Sequence, residues 1–275
     1  MNYKYLNQVR FLINILGEIK QSSSNFALKG GTAINLFYQN LPRLSIDIDL
    51  VYLPIKERDK SLREISDFLS EISNKLNYKF HSIIDIDTKY FKKLIVKSNF
   101  GNIKIEPSFI IRGNLETVNN VELCKKAQSS FETNINFQCL SINEVYAGKF
   151  IAALDRQHPR DLFDIRIFIE QFVNLKNNTE KFYELVLIYL LQSNRPISEL
   201  IEPNFLNLKR IYYDQFLGIT NIEVSLEELK ETRLELVKIM KHSIFYKYFN
   251  FITSFMNVKP HWELLNYYPK ARFLP

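Results

Sequence analysis

Apolar side chains recur along this chain at two intervals, and the change from one to the other divides it. From Leu44 to Tyr52 apolar and polar residues alternate, with Ile46, Ile48 and Leu50 on one side and Ser45, Asp47 and Asp49 on the other, as a half-buried strand requires. Upstream, Phe26-Ala27-Leu28 is a short apolar run that ends at Gly30-Gly31, and Thr32 to Gln39 then reads as a helix with Thr32 placed to cap it. Asn40 to Arg43 is a proline-containing loop. Lys56 to Leu76 repeats Leu62, Ile65, Leu69, Ile72 and Leu76 at three-to-four spacing, the pattern of an amphipathic helix laid on one face of a sheet. Tyr78 to Asp85 and Tyr90 to Lys97 read as a hairpin, and Asn102 to Ile110 as one more strand.

From Ser141 onward the interval is helical. Val145, Phe150, Ile151 and Leu154 begin one helix, and Leu162 to Phe172, Lys181 to Gln192 and Leu226 to Phe249 continue the pattern. Ser225-Leu226-Glu227-Glu228 has the form of a capping box, which gives the last of these a start. The predicted class is α+β: a mixed sheet with flanking helices over residues 1–140, then a helical bundle over 141–275. Pro196, Pro203 and Gly218 punctuate the second part without forming a flexible linker.

Composition narrows the classes further. With 46% hydrophobic and 14% aromatic residues, a chain of 275 can bury a substantial core, which excludes disorder. Seven Gly against 22 Phe and 15 Tyr argue against a glycine-rich dinucleotide fold, and no repeat is visible. Residues 1–20 mix charges with helically spaced apolar residues and read as an opening helix, not a signal peptide. No run approaches the roughly 18 uncharged apolar residues of a spanning helix. Cys124 and Cys139 stand apart from any CxxC or Cys/His cluster, so a reduced, cytoplasmic, soluble protein without a zinc site is expected. The net charge of +6 favours polyanionic partners.

The candidate chemistry lies in Lys29-Gly30-Gly31-Thr32-Ala33 and Arg43-Leu44-Ser45-Ile46-Asp47-Ile48-Asp49-Leu50. Strand alternation points Asp47 and Asp49 to one face, about 6.6 Å apart, so both carboxylates can converge on one divalent ion. Unoccupied, such a pair is unfavourable, because like charges this close repel one another. Mg2+ or Mn2+ suits an all-oxygen site that shares ligands with phosphates. Gly30 and Gly31, without a Cβ, let backbone N–H groups at a helix start approach a phosphate, and Thr32 adds a hydroxyl. Either part alone is ambiguous, since a Gly-Gly pair is ordinarily a turn and a DxD ordinarily a strand end. Their order, strand, Gly-Gly-Thr, helix, loop, strand, is far more specific. A second DxD, Asp85-Ile86-Asp87, lacks the glycine turn and reads as a hairpin end.

These segments resemble the nucleotidyltransferase superfamily signature. More narrowly, they and Arg160-Asp161-Leu162-Phe163-Asp164 resemble the AbiEii/AbiGii toxin family, with the matching motifs spread over roughly residues 26 to 170. That resemblance implies a metal-dependent transfer of a nucleoside monophosphate from a nucleoside triphosphate to an RNA acceptor, transfer RNA, by the toxin of a toxin–antitoxin or abortive-infection system with an antitoxin partner. It asks for a third carboxylate on an adjacent strand, and Ile103-Lys104-Ile105-Glu106 offers Glu106; the alternative is a solvated residue paired with Lys104. Lys149 resembles the family's lysine that meets triphosphate. Asp161 either orients or deprotonates the acceptor, or pairs with Arg156 or Arg160 beside Asp164 at a helix start. Arg43 and Ser45 either contact phosphate or brace the loop. Small-molecule nucleotidyl transfer, phosphotransfer and a non-catalytic module binding RNA or protein are the rival readings. The four histidines lack ligand spacing, and the aromatic stretch Phe245 to Phe249 serves either base stacking or the core.

Overall fold

The computed structural model describes residues 3–86, 91–172 and 179–275. It divides into two compact units: Met1–Ile142 with Gly218–Ile222 and Leu274–Pro275, and Asn143–Leu217 with Glu223–Phe273.

The first unit opens with helix α1 (Tyr3–Lys20) and strand β1 (Phe26–Lys29). Helix α2 follows without a break, as Gly30–Thr32 and then the wider-turned Ala33–Tyr38. Strand β2 (Asp47–Tyr52), helix α3 (Arg58–Asn77) and strands β3 (His81–Ile86), β4 (Phe91–Ser98) and β5 (Gly101–Ser108) come next. The unit ends with β6 (Asn119–Glu122), α4 (Lys125–Phe131) and β7 (Asn136–Cys139). The seven strands form one mixed sheet in the order β3-β4-β5-β2-β1-β7-β6, with β2 at its centre. Parallel pairing joins β2 to β5 and β1 to β7; the other neighbours are antiparallel.

Helix α3 lies where its periodicity predicts: Leu62, Ile65, Leu69, Ile72 and Leu76 are all buried. Each contributes about 1.5–3 kcal/mol by leaving water. The adjoining core includes Phe68 stacked on Phe26 of β1, ring centroids 3.9 Å apart.

Several boundaries differ from the sequence reading. The strand predicted from Leu44 begins only at Asp47, because the preceding residues pair with a returning segment of chain: Leu44 N–H donates to the Ile219 carbonyl at 2.8 Å, and Arg43 bridges Thr220. Strands β6 and β7 and helix α4 escaped prediction. The two strands have four residues each; β6 is exposed at Asn119, Asn120 and Glu122, and β7 alternates, Asn136-Phe137-Gln138-Cys139, over a run too short to stand out. The expected hairpin is present as β3 and β4, while its tip, Asp87-Thr88-Lys89, lies outside the described residues.

The second unit is helical: α5 (Ile142–Arg156), α6 (Pro159–Phe172), α7 (Thr179–Leu191), α8 (Ile197–Ile201), the short α9 (Lys209–Ile211), α10 (Leu226–Ile239) and α11 (Phe249–Met256). Its core gathers aromatic side chains, with Phe168 of α6 4.4 Å from Tyr146 and 4.7 Å from Phe182 between ring centroids. The capping box forms as predicted: Ser225 Oγ accepts from the Glu228 N–H while the Glu228 carboxylate accepts from the Ser225 N–H. The helix it starts runs only to Ile239 and passes into a wider turn over Met240–Phe245, so the single helix predicted to Phe249 is interrupted. Among the described residues, no helix is long and apolar enough to cross a membrane.

Candidate active site

The glycine turn sits against the central strand. Gly30 has φ +69°, a left-handed conformation that costs little only without a Cβ. A Cβ there would also lie 2.2 Å from Asp49 Oδ2, so the carboxylate of β2 occupies the space a side chain would take. At Gly31 a Cβ would lie 2.7 Å from Arg43 Nη2 and 3.0 Å from Ser45 Oγ.

Arg43 and Ser45 are therefore packed under the turn, 2% and 7% exposed, and Arg43 Nη1 donates to the Leu44 carbonyl at 2.9 Å. Bracing is the role this burial supports. Thr32 corrects the sequence reading more sharply. The helix starts at Gly30, with Lys29 in the capping position and no side-chain cap, so Thr32 lies inside it. Its hydroxyl is buried, 3.1 Å from Ser45 Oγ, and donates to the Asp47 carbonyl. It ties the glycine turn to the first residue of β2.

Asp47 and Asp49 alternate with buried Ile48 and Leu50, so the pair shares the half-exposed face of β2. Register then sets which residues stand beside the pair. In the parallel ladder Asp47 lies opposite Lys104 and Asp49 opposite Glu106, while Lys29 lies opposite Asp49 on the other side. Directly opposed residues project to the same face, and buried Ile103, Ile105 and Pro107 alternate with Lys104 and Glu106 accordingly. Glu106 shares the face of the Asp pair, and its Oε2 is 2.9 Å from Lys104 Nζ, the pairing expected of a solvated strand residue.

Among the described residues, no three acidic, imidazole or thiol side chains are already gathered as cation ligands. The donor chemistry nevertheless fits a hard divalent cation, with three carboxylates on one face of adjacent strands and Asp49 lodged against Gly30. Glu106 would have to turn from Lys104 to join them.

The second unit carries its own charged cluster. Lys149 of α5 is 5% exposed, and its Nζ lies 2.9 Å from Asp161 Oδ1 and 3.1 Å from Asp164 Oδ2 of α6. Arg156 Nη2 is 3.0 Å from Asp161 Oδ2, the pairing expected of that carboxylate. The sequence reading missed Lys149 as a partner of both aspartates. The only sequence signal was that Lys149 and the aspartates belong to consecutive helices joined by the short His158-Pro159 turn, which lets α5 and α6 face each other. His158 Nδ1 accepts from the Arg160 N–H at 3.1 Å, and burial, followed by the Arg160 charge, lowers the His158 pKa below its usual value.

Among curated proteins, no sequence matches the chain significantly. Among solved structures it is similar to MenT4, a nucleotidyltransferase toxin of Mycobacterium tuberculosis, with TM-score 0.61 and 12% identity over 88% of this chain and 86% of that one. At this identity the likeness shows the fold, which is thus that of a nucleotidyltransferase toxin. A STING-associated CdnE c-di-GMP synthase from Capnocytophaga granulosa aligns over 90% of this chain and 83% of its own at 14% identity, but its TM-score of 0.30 carries no argument. The family model described as the nucleotidyl transferase AbiEii toxin of a type IV toxin–antitoxin system matches residues 15–236, taking in the glycine turn, the carboxylate strands and the Lys149 cluster, and the chain belongs to that family.

Proposed function

We propose that this nucleotidyltransferase uses Asp47, Asp49 and Glu106 to hold Mg2+ or Mn2+ and transfers a nucleoside monophosphate from a nucleoside triphosphate to RNA, with the acceptor end of transfer RNA as the target. The observation that carries the reading is the register of Asp49 against Glu106, beside a glycine turn whose missing Cβ makes room for the Asp49 carboxylate. Bound there, a divalent cation would supply charge stabilisation for displacement at the α-phosphorus with pyrophosphate as leaving group.

The chain's own groups do the rest. Gly30 and Gly31 offer backbone N–H groups at a helix start, with the Arg43 guanidinium close beneath Gly31. Thr32 fixes the turn to β2, which keeps the carboxylates at a set distance from those N–H groups. An acceptor hydroxyl would lose its proton to one of these carboxylates as it attacks. Lys149 and Asp161 belong to the same proposal with one constraint: Lys149 Nζ is already shared between Asp161 and Asp164, so a phosphate it meets competes with both. The net charge of +6 supports RNA as acceptor, and membership of a type IV system implies an antitoxin partner.

The test is incubation of the purified protein with each α-labelled triphosphate and total RNA in Mg2+ or Mn2+. Label should appear on RNA of transfer-RNA size and fall by about 100-fold or more in Asp47→Ala and Asp49→Ala. Full transfer by either variant would falsify the assignment. Label moving from the γ- but not the α-position would identify a phosphotransferase, and α-label confined to small products would replace RNA with a small-molecule acceptor.

A further inference from the structure

The face that carries Asp47, Asp49 and Glu106 also carries a lysine that the proposed transfer does not use. Lys104 stands opposite Asp47 in the β2–β5 ladder and two residues before Glu106 on its own strand. Its Nζ is 2.9 Å from Glu106 Oε2, and both side chains are well exposed, at 40% and 39%.

Three carboxylates on adjacent strand positions repel one another when no cation is present. The Lys104 ammonium, paired with Glu106, offsets part of that repulsion. A lysine ammonium is a compact point charge on a flexible stem, suited to occupying a cation's position and then withdrawing, whereas a guanidinium would fix a carboxylate in a planar two-bond grip.

We propose that Lys104 is a positioning residue that stands in for the divalent cation, holding Glu106 away from Asp47 and Asp49 until the ion displaces it. This rests on the metal reading of the three carboxylates and adds to it a competition: each binding event exchanges the Lys104–Glu106 pair for a Glu106–metal contact. Lys104 thereby sets the cation concentration at which the site is assembled. Lys29, opposite Asp49 on the other neighbouring strand, adds positive charge to the same face but lies across the strand from Glu106.

Partly exposed pairs of this kind shift an equilibrium by about two- to five-fold. Replacing Lys104 also removes a positive charge near the ion, so the pair has to be separated from the general field. The experiment is Mn2+ titration by calorimetry, without nucleotide, on the native protein, Lys104→Gln, Glu106→Gln and the double variant, with Lys104→Arg, Asp47→Asn and Asp49→Asn as companions. Lys104→Gln should tighten Mn2+ binding by at least about two-fold in the native background, and the gain should shrink toward none when Glu106 is already Gln. Lys104→Arg, which keeps a paired cation, should bind no tighter than the native protein. In chelator, Lys104→Gln should melt lower than native protein, and Mn2+ should raise its melting temperature more.

Equal tightening in both backgrounds would reduce Lys104 to a field effect and overturn the proposal, as would no tightening at all. If Asp47→Asn and Asp49→Asn bind Mn2+ as the native protein does, it is the metal site itself that is absent, a result separable from the failure of Lys104 alone.

Discussion

Gly30→Ala isolates the contact on which the site depends. Two costs meet there. The backbone, at φ +69°, must hold an L-residue in the left-handed region, which costs about 1–2 kcal/mol. The new methyl carbon would also lie 2.2 Å from Asp49 Oδ2, against ordinary contact at 3.4 Å and beyond, so the carboxylate has to retreat by about 1 Å. Asp49 is half-exposed and its carboxylate can turn aside, but its Cβ would still lie 3.2 Å from the added carbon, so the first cost dominates the loss of stability and a small backbone adjustment adds to it. Activity does not escape it, because misplacing a group by about 1 Å costs on the order of 100-fold in rate. The expected signature is a loss of about 1–2 kcal/mol in urea denaturation beside a loss of about two orders of magnitude in α-labelled nucleotide transfer. Gly218→Ala is the control: its φ is +82° but nothing lies within 4 Å of the added carbon, so it should show the strain without the loss of rate. Gly31→Ala presses on the ends of the Arg43 and Ser45 side chains and has no positive φ, so it should fall between them in rate. The reasoning is refuted if Gly30→Ala transfers nucleotide at the native rate, or if Gly218→Ala slows transfer as much.

Two further outcomes follow from the helical unit. Lys149→Met removes the buried ammonium that Asp161 and Asp164 share, leaving Arg156 against Asp161, and should cost about 3–5 kcal/mol in urea denaturation, with part of it restored by adding Asp164→Asn; an unchanged midpoint would show that the ammonium is not compensating buried charge. His158 is held below its usual pKa by burial and by Arg160, so in the window between its lowered folded pKa and about 6.5 the unfolded chain binds the extra proton. Its contribution is therefore present above the unfolded pKa and lost as pH falls through that window, and His158→Asn should flatten the slope of stability against pH there; a steeper slope in the variant would contradict the sign.

Much of the site was legible because its parts are local. Alternation along β2 sends Asp47 and Asp49 to one face whatever the neighbours are, and the Gly30-Gly31 pair announces a turn where a Cβ does not fit. The five apolar positions of α3 and the Ser225–Glu228 capping box were readable for the same reason, since their spacing is fixed by the helix itself. Thr32 was misread because a threonine after a turn has two uses for its hydroxyl. The choice fell to the Asp47 carbonyl, 15 residues along, which no local rule brings near.

From the sequence alone came the α+β class, the two carboxylates on one face, the glycine turn and the resemblance that proved to be the family, all of which depend on periodicity, short-range geometry and local motifs. Tertiary structure decided the rest: that Glu106 stands beside Asp49 and Lys104 beside Asp47, that Arg43 and Ser45 are buried beneath Gly31, that residues 218–222 return to the first unit, and that Lys149 is shared by Asp161 and Asp164. Strand register and the partners of buried charges are settled by which distant segments meet, because desolvated groups must find their complement wherever the whole fold provides one.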